Sequence, residues 1–126
     1  MNTETINALD AGRTTSRVLS ASTLGKDDVY SLKGEKLGSI KEFMLDITSG
    51  KVCYVVMSFG GFLSLGEKLF AIPWGALKID TENKRFLMDT DEEHLKKAPG
   101  FDPQNWPNMA DSTWEKSVRD YFETTY

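Results

Sequence analysis

The chain has 126 residues, 40% hydrophobic and 27% charged, with a net charge of −4. That length allows one domain with one core, and this balance excludes a wholly disordered chain. A single cysteine, Cys53, excludes an intrachain disulfide framework.

The charge is uneven: residues 1–17 carry two acids and two bases, residues 18–88 eight and nine, and residues 89–126 nine and four. Nucleic-acid binders need a basic face to displace counterions from phosphates, so no nucleic-acid partner is expected. The first residues, Met1 to Asn7, lack the basic and apolar regions of a signal peptide. The longest apolar run, Val52 to Met57, is too short to span a membrane. A cytoplasmic protein is expected.

Residues 1–17 are polar with no apolar period and read as a flexible tail. A strand-rich region over 18–89 follows. Val18-Leu19 and Val29-Tyr30 are short apolar pairs with strand character. Lys33-Gly34-Glu35-Lys36 supplies a turn, and Gly38 to Ile47 reads as a strand with Phe43, Leu45 and Ile47 on one face. Ile40 is out of phase with that set, and a bulge near Lys41 restores it. Thr48-Ser49-Gly50-Lys51 is a hairpin signal.

Val52 to Phe59 is apolar on both faces, the mark of a central strand covered twice. Gly60 to Gly66 reads as a loop, since its glycines disfavour regular structure. Leu69 to Trp74 is a further strand, with Pro73 at its end or on an edge. Leu77 and Ile79 face inward on the next, and Lys84 to Asp89 completes about six strands, the pattern of a small antiparallel barrel or sandwich.

The last region, 90–126, reads as a short helix, an extended strap and an amphipathic helix. Thr90-Asp91-Glu92-Glu93 has capping-box spacing with Thr90 at the N-cap, and Pro99-Gly100 stops the helix. Three prolines with Phe101, Trp106 and Met109 form the strap. Asp111 or Ser112 caps the final helix, on which Trp114, Val118, Tyr121 and Phe122 form one stripe. That stripe must dock on something: the second face of the central strand, or a partner surface.

Three motifs occur in order: Gly34-Glu35-Lys36-Leu37-Gly38-Ser39-Ile40, Gly50-Lys51-Val52-Cys53-Tyr54-Val55-Val56, and Ile72-Pro73-Trp74. As a set they resemble the PRC-barrel domain family. The tail from Phe101 to Tyr126, with Trp106-Pro107 and Trp114, is similar to tails of free-standing bacterial members. The resemblance implies a small β-barrel that docks on other proteins. It does so in the cytoplasmic part of the photosynthetic reaction-centre H subunit and the C-terminal domain of a ribosome-maturation factor. It brings no catalytic motif.

Candidate chemistry is sparse. Gly61 and Gly66 have phosphate-loop separation, but Glu67 stands where the lysine belongs and a strand follows where the motif needs a helix. His94 is the only histidine, so no zinc site of nitrogen and sulfur ligands assembles. His94 also falls where a calcium loop needs glycine, so the acids from Asp89 to Glu93 read as helix capping. Cys53, mid-strand among apolar residues, reads as a buried inert thiol. No cofactor, metal or catalytic residue is expected.

Phe62, Leu63 and Leu65 form an apolar cluster on a loop. They read either as a contact site or as a flap over the barrel end. With Trp114, Tyr121 and Phe122 they are the candidate partner-binding residues. The expected function is a non-enzymatic interaction module that docks on a protein partner or forms a homodimer. The alternative is a barrel that binds a small regulatory ligand, which a pocket with convergent polar groups would favour.

Overall fold

The computed structural model describes residues 18–59 and 67–122. The predicted tail over 1–17 and the glycine-rich loop over 60–66 lie outside the described residues.

The chain enters through a one-turn helix, α1 (Ala21–Leu24). The strand expected at Val18-Leu19 is corrected: Ser20 caps α1, its Oγ accepting the Thr23 N–H at 3.0 Å. Two apolar residues cannot sustain a ladder against that cap. Val18 is exposed, while Leu19 packs on the core.

Six strands follow: β1 (Asp28–Ser31), β2 (Lys36–Asp46), β3 (Lys51–Phe59), β4 (Lys68–Pro73), β5 (Leu77–Asp80) and β6 (Arg85–Met88). They form one sheet in the order β4-β3-β2-β1-β6-β5, curled into a half-barrel. Four of the neighbouring pairs are antiparallel, and β1 runs parallel to β6. A 3₁₀ turn, Trp74–Ala76, carries the chain from β4 to β5 at the far edge of the sheet.

Turn chemistry sets the corners. Gly34 (φ 89°) and Gly50 (φ 77°) take the left-handed backbone in the β1–β2 and β2–β3 turns. Between β5 and β6, Asp80 accepts from the Asn83 amide and Arg85 guanidinium and pins the turn.

The inner face of the curl holds the main core: Val29, Leu37, Val55, Met57, Phe70, Ile72 and Phe86 are all but completely buried. Trp74 closes one side, edge-on to Phe43 and Phe86 at centroid distances of 6.5 and 6.3 Å. The bulge expected near Lys41 is present, since the β2–β3 register jumps from Ile40 to Glu42. A second irregularity sets Met44 opposite Tyr54 and Leu45 opposite Val52, so the register skips Cys53.

Two side-chain environments at this end of the sheet differ from expectation. Leu45 and Ile47, expected on one face with Phe43, are 55% and 94% exposed, because β2 outruns its other neighbours there and leaves that face uncovered. Cys53 is half-buried and borders the outer cluster rather than the inner core.

α2 (Glu92–Lys96) and α3 (Ser112–Tyr121) complete the described chain. Asp91, not Thr90, caps α2, its Oδ1 accepting the His94 N–H at 2.8 Å. A carboxylate is the stronger acceptor at a helix start, so the helix begins one residue later than the Thr90 spacing suggests. Asp111 caps α3 in the same way, accepting the Thr113 N–H at 2.9 Å.

Candidate functional site

Three surfaces merit description, and the first is the outer face of β3 and β4. Tyr54, Val56 and Ala71 point away from the main core yet are buried. α3 covers them. Val118 is 1% exposed and forms one cluster with Tyr54 and Ala71, ringed by Met44, Phe101, Met109, Trp114 and Phe122. Trp114 meets Tyr54 edge-on, with centroids 5.2 Å apart.

The strap holds α3 in place. Phe101 and Leu69 exchange backbone hydrogen bonds of 2.9 and 2.8 Å, adding a single bridge to the free edge of β4. Gly100 lies so close to β4 that an added Cβ would sit 2.8 Å from the Leu69 carbonyl oxygen. Trp106 stacks edge-on against Phe101 and donates its Nε1–H to the Pro103 carbonyl.

At the far end of α3, Tyr121 stacks on His94 (4.4 Å between centroids, 19° between planes), and its hydroxyl donates to the His94 carbonyl. Burial, and then the nearby Asp91 carboxylate, raise the Tyr121 phenol above its ordinary value of 10.0. Trp114, Tyr121 and Phe122, named from sequence as partner-binding residues, are therefore half-buried against their own barrel and α2. Phe62, Leu63 and Leu65 lie outside the described residues.

The second surface is the end of the β2–β3 ribbon. β1 pairs with β2 only as far as Ser39, and β4 pairs with β3 only from Tyr54 onward. Among the described residues, Leu45–Asp46 and Lys51–Val52 are thus paired in the sheet only with each other, and exposed Leu45 and Ile47 stand at this end. The turn is firm. Asp46 Oδ1 accepts the Thr48 N–H at 2.9 Å and the Ser49 N–H at 3.4 Å, and these bonds hold its carboxyl below the ordinary range. The alternation of Phe43, Leu45 and Ile47 marks one strand face and does not tell where along the strand that face is left uncovered.

The third surface is an open cleft of about 980 Å³, bounded by the β1–β2 turn, β5, the end of β6, α2 and the end of α3. Ser31, Lys33, Lys78, Thr90, His94 and Tyr121 are among the residues that line it. Ser31 Oγ is committed to the Glu35 N–H at 3.1 Å. Thr90 Oγ1 is buried with no hydrogen-bond partner among the described residues. No local motif announces this cleft, because its walls come from segments about 90 residues apart in sequence.

These strands and turns define a small curled β-sheet domain closed by its own C-terminal segment. The family model of the PRC-barrel domain matches residues 17–95, well over half of the chain, and the chain belongs to that family. No curated protein matches it. Among the described residues, no helix is long and apolar enough to cross a membrane.

Proposed function

We propose that this PRC-barrel domain is a non-enzymatic docking module for a protein partner, which includes a second copy of the chain. The observation that carries this reading is the β2–β3 ribbon end, where Leu45 and the adjoining turn residue Ile47 are exposed and the ribbon has no further strand beside it among the described residues. Burying two such side chains against a partner contributes roughly 1.5–3 kcal/mol each, and an open edge adds main-chain hydrogen bonds. Phe62, Leu63 and Leu65, expected from the sequence to lie on a loop between β3 and β4, are a second candidate contact. Trp114, Tyr121 and Phe122 act within the chain in this reading, as the clamp that closes its outer face.

The test compares tagged wild type with a Leu45→Ser/Ile47→Ser variant and a Phe62→Ser/Leu65→Ser variant. Each is first shown to be folded by circular dichroism. Partners are captured by cross-linking in native cells, and binding is then remeasured with the purified partner. Weakening of about tenfold or more in the first variant supports the ribbon, and in the second the loop. A purified partner that binds all three forms equally overturns both assignments.

A second reading, a regulatory-ligand site in the cleft, is favoured by the orphaned Thr90 hydroxyl. A buried unpaired polar group costs about 1–3 kcal/mol, which a ligand that parts the cleft wall to reach it would offset. Backbone NMR of the folded chain titrated with defined metabolite mixtures tests it. Saturable shifts confined to the cleft, and lost in Thr90→Val, support this reading; no saturable shift overturns it.

A further inference from the structure

We draw no further inference here: the strongest candidate, the cleft between the β1–β2 turn and α2, belongs to the second reading given above, and its lysines and carboxylates of both signs select no class of ligand.

Discussion

The two faces of β3 are closed in different ways. Inward, Val55, Met57 and Phe59 meet residues from β1, β2, β4, β6 and α2, so each side chain is held by segments far apart in sequence. Outward, Tyr54 meets one ten-residue helix and a strap bridged to the sheet at a single residue. A helix of that length is marginal alone in water, so α3 owes its structure to this contact. The inner core is thus the barrel's cooperative body, and α3 belongs to the part that opens first.

The largest test of that contrast is Phe70→Ala, which empties a fully buried site of the inner core. A loss of about 3–5 kcal/mol is expected, seen as a lower urea midpoint for the whole chain. Val118→Ala removes the one buried side chain of α3. It is expected to cost about 1.5 kcal/mol. Hydrogen exchange should quicken in α3 and leave β3 protected. Equal quickening of both would show that the two faces open together.

Gly38→Ala and Gly100→Ala sharpen the same comparison. An added Cβ at Gly38 falls 2.3 Å from the Ser58 carbonyl oxygen, inside the β2–β3 ladder. Strain of about 1–3 kcal/mol is expected, lowering global stability. At Gly100 the clash lifts the strap, so the expected change is local: faster exchange at Leu69 and Phe101 with a nearly unchanged urea midpoint.

The smallest effects are in pH. Because Tyr121 is raised in the fold, its contribution is complete below about pH 10, the unfolded value, and is lost as pH rises through the folded value. The phenolate cannot donate to the His94 carbonyl, so α3 should loosen at alkaline pH before the sheet does, as read by Trp114 fluorescence. Tyr121→Phe should remove that alkaline step. Asp80 is held low first by the Asn83 amide and then by Arg85. Its contribution is present above the unfolded carboxylate value and fades as pH falls through the folded one. Asp80→Asn should flatten the acid limb of the stability curve slightly.

Much of the barrel was legible in the sequence because its signals are local. The phase break at Ile40 locates the Lys41 bulge, and the doubly apolar Val52–Phe59 run marks a strand covered on both faces. What escaped depends on pairing. The parallel contact of β1 with β6 joins segments more than 50 residues apart. The exposure of Leu45 and Ile47 follows from where β1 stops, which their own alternation does not encode. Thr90 shows a competition between neighbours: a threonine and an aspartate both suit the cap, and the aspartate wins it.

The strap also sets a threshold for competition. From the Phe101 bridge to the Asp111 cap it allows α3 about ten residues of tether, with a span on the order of 17 Å when loose. Such a tether holds α3 over the outer face of β3 at a local concentration on the order of millimolar. A free helix at micromolar concentration must bind that face about a thousandfold more tightly than α3 does, a difference of about 4 kcal/mol. Length and anchorage of the strap, rather than the modest area under Val118, therefore govern which molecules can compete for the outer face.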